Sequence, residues 1–475
     1  MKYINTRNDK EIVDSSKAIV NGLALNGGLY VPDQINKIND IYKLRYLDYK
    51  QLANSIISLF FSDVEDCIDK AYGDNFDSSD ITPIKKVNDE YFLELHHGPT
   101  CAFKDVALQF LPHILLKSNN DNKPIAILSA TSGDTGKAAL EGFRDVPNTK
   151  ICILYPYKMV STVQERQMSS TLGNNTEVLA VKGNFDDCQR LVKDILENNK
   201  FDNIHLTSAN SINIARLIPQ VVYYFKAYFD LLNKDEISKD ELVDYYVPTG
   251  NFGDILAGYI AKLLGLPIDK LICASNSNNV LTDFLNKGIY KADRPLYNTM
   301  EPSIDILVSS NLERLLYLKS KDTNLVNRLM EDLKKNKEYQ ISEELLSSIK
   351  QDFKGIYVKE NEVSKIIKEY YDKYNYLIDP HTAVALMAAK KDNSKNKKVI
   401  LSTASPFKFS KDVYKCLTEK EINDDLNAIE TLEKYTNLKV PNSLSNLKNM
   451  EVIFKEVIKK DDKDIIINKL GVNHD

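Results

Sequence analysis

From Tyr91 onward the chain alternates short apolar runs with amphipathic stretches, and several of the runs end in a glycine-containing loop. Strand, loop and helix repeated in this order form an α/β fold, with open, mostly parallel sheets and helices on both faces. The expected strands are 124–129, 151–155, 177–181, 242–247, 271–274 and 398–402, and the expected helices are 136–143, 186–197, 211–231, 254–264 and 382–390. Residues 1–90 read as a separate helical unit: 12–20 is weakly helical, Gly27, Gly28 and Pro32 mark a turn, and Leu52, Ile56, Ile57 and Phe60 recur at helical spacing. The expected division is an N-terminal domain 1–90, a small α/β domain 91–210 and a large α/β domain 211–475. The Lys- and Glu-rich stretch 324–373 reads as exposed helices on the flank of a sheet.

With 475 residues, 43% of them hydrophobic, the chain is too long for one core and apolar enough for several. A net charge of −5 provides no global field for nucleic acid or anionic lipid, so any anion site must be local. The start, Met1-Lys2-Tyr3-Ile4-Asn5, does not read as a secretory signal, and no apolar run reaches the roughly 18 residues that span a bilayer, so a cytoplasmic enzyme without a membrane partner is expected. The six cysteines are scattered without a C-x-x-C pair, which fits reduced thiols. His96 and His97 are adjacent and so point to opposite faces of a strand, and no metal site is expected.

Two loops carry anion-binding chemistry. The first, 129–136, is Ser-Ala-Thr-Ser-Gly-Asp-Thr-Gly; it lacks the spacing of a nucleotide phosphate loop, and its hydroxyls suit a carboxylate or a second phosphate. The second, 248–254, is Pro-Thr-Gly-Asn-Phe-Gly-Asp; it lacks a dinucleotide fingerprint but offers backbone N–H groups at a helix start, enough for one phosphate. Each loop alone is equally an ordinary turn before a capped helix. Lys104 lies between Phe103 and the apolar run 106–111, surroundings that lower a lysine pKa and suit a Schiff-base nucleophile. A lysine plus a phosphate cradle is the minimum kit for pyridoxal 5′-phosphate.

Taken together, these segments closely resemble the longer form of the threonine synthase family, found in many bacteria and in fungi. The resemblance runs from Gly27-Gly28-Leu29-Tyr30-Val31-Pro32 through His97-Gly98-Pro99-Thr100, Phe103-Lys104-Asp105, Thr131-Ser132-Gly133-Asp134-Thr135-Gly136 and Ser208-Ala209-Asn210-Ser211-Ile212-Asn213 to Gly250-Asn251-Phe252-Gly253-Asp254. It implies the tryptophan-synthase β fold (fold type II) of pyridoxal-phosphate enzymes and the conversion of O-phosphohomoserine and water to threonine and phosphate.

By the same resemblance Lys104 is the Schiff-base lysine, and Gly250, Asn251, Phe252, Gly253 and Asp254, with Thr249 as a further donor, hold the cofactor phosphate. Thr403 places a hydroxyl beside the pyridine nitrogen. Asp134 stands where relatives of other specificities have Asn against the cofactor's phenolic oxygen; since two negative groups repel, it is expected to cap the following helix or to accept a hydroxyl. Ser405 and Phe407 depart from the family's commoner T-A-H-P-A-K-F pattern. For the substrate's anionic groups the sequence offers Thr131, Ser132 and Thr135, with Ser161 and Arg166 preferred for the phosphate and Asn213 and Arg216 next. The expected partner is a small molecule, the expected assembly a monomer or homodimer. A rival reading is another lyase of this fold, such as a threonine dehydratase or a cysteine synthase. The N-terminal unit and Asp134 argue against it, and the intact Lys104 argues against a non-catalytic relative.

Overall fold

The structure is a computed structural model that describes residues 1–131, 133–198, 201 and 203–471. Its N-terminal part opens with three short strands, β1 (Lys2–Asn5), β2 (Asn8–Asp14) and β3 (Tyr30–Pro32), in an antiparallel sheet of order β2-β1-β3. Helices Ser15–Asn21, Tyr49–Ile57 and Glu65–Ala71 complete this part. The N-terminal unit thus carries the expected helices and, in addition, a sheet. A third of the stretch read as weakly helical, 12–14, is strand, because Asp14 caps the helix that follows it and so fixes where the helix begins.

Two sheets form the remainder. The larger combines β4 (Ile84–Val87), β5 (Glu90–Glu94), β10 (Val243–Pro248), β11 (Ile268–Ser275), β14 (Phe353–Tyr357) and β15 (Lys397–Ser402). Their order is β14-β11-β10-β15-β5-β4, parallel except for the β4–β5 hairpin at one edge. The smaller combines β6 (Ile125–Ala130), β7 (Thr149–Pro156), β8 (Thr176–Lys182), β9 (His205–Thr207) and β16 (Val457–Lys459) in the all-parallel order β16-β8-β7-β6-β9. A two-stranded ribbon, β12 (Ile289–Lys291) with β13 (Glu338–Gln340), lies outside both. Strands β6 and β10 are buried at every residue, as strands covered by helices on both faces must be.

All six expected strands are present, and three expectations are corrected. The divisions at 90 and 210 do not cut the chain into separate sheets: β4 and β5 belong to the large sheet, and the C-terminal β16 closes the edge of the small one. The expected helix 211–231 is two helices, Ile214–Leu217 and Pro219–Asn233, because Pro219 has no N–H to continue the ladder. The stretch 324–373 holds three helices but also β14, hidden in sequence by Lys354 and Gly355; Gly355 is required there because a Cβ would lie 2.7 Å from the Thr282 backbone. Among the described residues all six cysteines are free and buried, and no helix is long and apolar enough to cross a membrane.

Candidate active site

The carboxyl ends of β6, β10 and β15 bring the two loops and Lys104 together, as open α/β sheets do for ligands. The segment before Lys104 is stitched to the end of β15: Phe103 N donates to Thr403 O at 2.8 Å, and Ala102 bridges Ala404. Lys104 begins the helix Lys104–Leu108 and is 8% exposed. Its Nζ reaches Asp134 Oδ2 at 3.4 Å and Ser303 Oγ at 3.2 Å. Burial pushes its pKa down; Asp134 opposes this, and Lys408 and Arg216 add to it.

Asp134 accepts on both oxygens. Lys408 Nζ, at 2.9 Å, and Gln164 Nε2, at 3.0 Å, bond Oδ1, while Lys104 and the Ser303 hydroxyl bond Oδ2. Burial opposes its ionisation, but Lys408 and Lys104 overcome that and hold the carboxyl well below the usual carboxylate range. Of the two roles expected for Asp134, accepting a hydroxyl is present, from Ser303, whereas capping is not: Asp134 is the first residue of the helix Asp134–Phe143, which has no side-chain cap.

Lys408 was missed. Its side chain is wholly buried, and Nζ also donates to Thr100 O at 2.9 Å. The sequence carried a signal like the one used for Lys104, a lysine set among apolar residues, here Phe407 and Phe409. Ser303 was missed as well. Its backbone N–H donates to His381 Nε2 at 3.2 Å, and His381 Nδ1 lies 2.8 Å from Asp379 Oδ1. The Ser303 amide and the Asp379 carboxylate thus hold the two ring nitrogens of His381.

The loop 249–254 has the geometry of an anion cradle. Its carbonyls are held from outside: Ser309 Oγ donates to Gly250 O at 2.8 Å, and the amide and Nδ2 of Asn311 both donate to Asn251 O at 3.0 Å. The N–H groups of residues 250–254 find no acceptor among the described residues. Phe252 is left-handed, with φ 64°, which turns the chain into the helix Gly253–Leu263 and adds its positive end to the site. A Cβ on Gly250 would lie 2.7 Å from Ser303 O. Thr249 Oγ1 donates to Val247 O at 2.7 Å. Asp254 faces inward, its Oδ1 taking the hydroxyls of Tyr223 and Tyr224 at 2.5 and 3.0 Å while Oδ2 has no partner; burial raises its pKa to about 6. The side chain of Asp254 therefore anchors the helix start and leaves anion binding to the backbone.

The first loop is built differently. Thr131 Oγ1 accepts from the N–H groups of Gly133 and Gly136, each at 2.9 Å, so those amides are already used. Gly133 has φ 145°, and a Cβ there would lie 2.3 Å from the Gln164 side chain. Ser132 lies outside the described residues. Thr135 is half-buried, and its hydroxyl has no partner among the described residues.

The residues expected to meet the substrate divide sharply. Ser161 caps the helix Thr162–Ser169 through Gln164 N at 3.2 Å and donates to Gln164 Oε1, one step from Asp134. Arg166 does not join it: two residues beyond Gln164, it lies about 200° around the helix and donates to Met450 O at 3.0 Å. Asn213 is likewise excluded, since its Oδ1 caps Ala215 N and its Nδ2 donates to Ile19 O. Arg216 remains. It is 5% exposed, and among the described residues it donates only to Ala209 O at 3.0 Å, has no partner for Nε and forms no ion pair with a carboxylate. Burial lowers its pKa to about 10.

The N-terminal unit, silent in sequence, reaches the site through Arg314. That fully buried guanidinium donates to Tyr30 O at 2.9 Å, to Ile212 O at 2.5 Å and to Asn311 Oδ1. It thereby links the Gly28-Leu29-Tyr30 turn to the residue that holds Asn251 O.

Comparison with known proteins agrees with this site. Residues 2–72 match the family model of the threonine synthase N terminus, residues 80–405 that of pyridoxal-phosphate dependent enzymes, and residues 382–461 that of the threonine synthase C-terminal region. Threonine synthase of Saccharomyces cerevisiae is 38% identical over 91% of this chain and 94% of its own. The crystal structure of pyridoxal-phosphate-bound threonine synthase from Brucella melitensis superposes with a TM-score of 0.89 at 37% identity, covering 100% of both chains. That of the yeast enzyme superposes with a TM-score of 0.88 at 34% identity, covering 99% of this chain and 98% of that one. A lysine with a lowered pKa, a ring of free amides and a helix start fit pyridoxal phosphate, and with the matches above they establish that the chain belongs to the threonine synthase family of pyridoxal-phosphate-dependent lyases.

Proposed function

We propose that the enzyme converts O-phospho-L-homoserine and water into L-threonine and inorganic phosphate, the last step of threonine biosynthesis, with pyridoxal phosphate carried on Lys104. The observation that supports this most directly is a charge imbalance. Lys104, Lys408 and Arg216 are all buried, yet among the described residues only Asp134 pairs with any of them. Buried cations without counter-ions are costly, so the site is made for ligands that bring negative charge, as a phosphorylated cofactor and a phosphorylated amino acid do.

In this reading the amides of residues 250–254 hold the cofactor phosphate, and the Thr403 hydroxyl, carried on the strand end that Phe103 bonds, serves the pyridine nitrogen. The cofactor, when bound, supplies an electron sink for charge that develops next to the substrate nitrogen. Lys104 moves the protons: burial disfavours its charged form, which suits the amine to act as a base, first at Cα and then at Cβ of the substrate. Phosphate leaves from the γ-carbon, which takes up a proton to become the methyl group; water then adds its oxygen at Cβ, and a proton returns to Cα. Arg216 takes a substrate anionic group, in place of Arg166, with Thr135 and Ser161 as further neutral donors.

The test is direct. Purified holoenzyme given O-phosphohomoserine should release phosphate and threonine in equal amounts. Absence of threonine, or conversion of threonine to a keto acid instead, would overturn the assignment.

A further inference from the structure

Asp134 presents a problem that its neighbours resolve. When Nζ of Lys104 bonds the aldehyde carbon of pyridoxal phosphate, the aldehyde oxygen leaves as water, and the ring hydroxyl on the adjacent ring carbon stays within hydrogen-bond reach of that nitrogen. Asp134 Oδ2 lies 3.4 Å from the same Nζ. An ionised carboxylate is thereby set against an oxygen that is itself acidic and prone to ionise.

We propose that Lys408 is the fixed counter-charge that lets Asp134 stand beside the cofactor's ring oxygen, so that the Asp134–Lys408 pair acts as one positioning unit for that oxygen. The inference rests on the reading of Lys104 as the cofactor-bearing lysine. Four donors meet the two oxygens of Asp134: Lys408 and Gln164 on Oδ1, Lys104 and Ser303 on Oδ2. Once Lys104 is bonded to the cofactor its nitrogen keeps at most one hydrogen, which the neighbouring ring oxygen competes for. Among the described residues Lys408 is then the one full positive charge left in contact with Asp134. It cannot drift to another partner, because its side chain is wholly buried and Nζ is tethered to Thr100 O at 2.9 Å. The turn Pro406–Phe409 that carries it is itself fixed, with Ser405 N donating to Cys101 O at 3.0 Å. Lys408 and Lys104 are thus held on opposite oxygens of one carboxylate.

The experiment uses the holoenzyme. Borohydride reduction followed by peptide mapping should place the cofactor on Lys104. A label on Lys408, or none on Lys104, overturns the underlying reading and this inference with it. With the label on Lys104, dissociation constants are measured for pyridoxal phosphate and for 3-deoxypyridoxal phosphate, which lacks the ring oxygen. Lys408→Met should weaken pyridoxal phosphate at least tenfold but the deoxy analogue less than threefold. Asp134→Asn alone, which leaves Lys408 facing the ring oxygen, should shift the preference the other way, and the double variant should return it to within threefold of the parent. A merely structural pair would change both ligands alike. Equal losses for the two ligands, or a double variant that fails to restore the preference, would overturn the proposal while leaving Lys104 in its role. Should Lys408→Met not fold, Asp134→Asn and the neutral double variant carry the same comparison.

Discussion

Two loops that look alike in sequence, each a glycine-containing turn between a buried strand and a helix, do opposite things with their backbone. In 249–254 outside residues hold the carbonyls and leave the amides free. In 131–136 a hydroxyl from inside the loop takes up two of the amides. The arrangement in 249–254 leaves backbone donors open to an anion; that in 131–136 builds a shelf that delivers one side chain, Asp134, between two lysines. What separates them is the residue at the strand end. Thr131 folds back onto its own loop, whereas Thr249 donates backward to Val247 O and leaves its loop to Ser309 and Asn311.

The largest expected effect breaks the cradle. In Gly250→Ala the new Cβ meets Ser303 O, a backbone atom at 2.7 Å that cannot yield without moving the 302–304 turn. Pyridoxal phosphate affinity should fall at least about a hundredfold, roughly 3 kcal/mol, while affinity for pyridoxal, which lacks the phosphate, should change by less than about threefold. Equilibrium dialysis against both ligands checks this, and equal losses would mean that the loop does not hold the phosphate.

Next in size is Thr131→Val, which keeps the shape but strands the buried Gly133 N–H and leaves Gly136 N with Gly133 O alone, at 3.1 Å. The cofactor-free protein should lose about 2 kcal/mol in urea unfolding, with no change in the preference for pyridoxal phosphate over pyridoxal. A selective loss of the phosphorylated form would make this loop a second cradle after all.

The same contrast explains what sequence could and could not tell. The strand-loop-helix frame was legible because apolar runs and glycines are local signals, and so was Lys104, through its apolar neighbours. The difference between the loops was not, since it depends on Ser309 and Asn311, about 60 residues downstream. Arg166 was preferred by proximity in sequence to Ser161, yet helical periodicity applied to the helix Thr162–Ser169 would have set it on the other side from Gln164. Arg216 could not be ranked first because its decisive property, burial without a carboxylate, exists only in three dimensions. Lys408 was legible by the criterion already applied to Lys104.

Ser309→Ala sharpens the comparison at smaller scale. It removes one outside donor, the hydroxyl on Gly250 O at 2.8 Å, and leaves both Asn311 bonds to Asn251 O in place. One neutral hydrogen bond contributes about 1 kcal/mol, so cofactor affinity should fall about fivefold. A change below about twofold would show that Asn311 alone sets the loop.

The smallest effect is expected at Gly253, although the sequence makes it look as indispensable as Gly250. A glycine is obligatory where φ is positive or where a backbone atom crowds the Cβ position. Neither holds here. The left-handed residue in this turn is Phe252, and a Cβ on Gly253 would find its nearest neighbour, Asn311 Nδ2, at 3.5 Å, an ordinary contact. At the first helical position alanine also loses less backbone entropy than glycine. Gly253→Ala should therefore leave the stability of the cofactor-free protein within about 1 kcal/mol of the parent or raise it slightly, a range typical of an unstrained Gly-to-Ala change. The comparison with Gly250→Ala then isolates the cause, since both variants add one methyl group to the same loop and only one meets the backbone. If urea unfolding instead showed a loss above about 2 kcal/mol for Gly253→Ala, steric crowding would extend through the whole turn, and the distinction between the two glycines would fail.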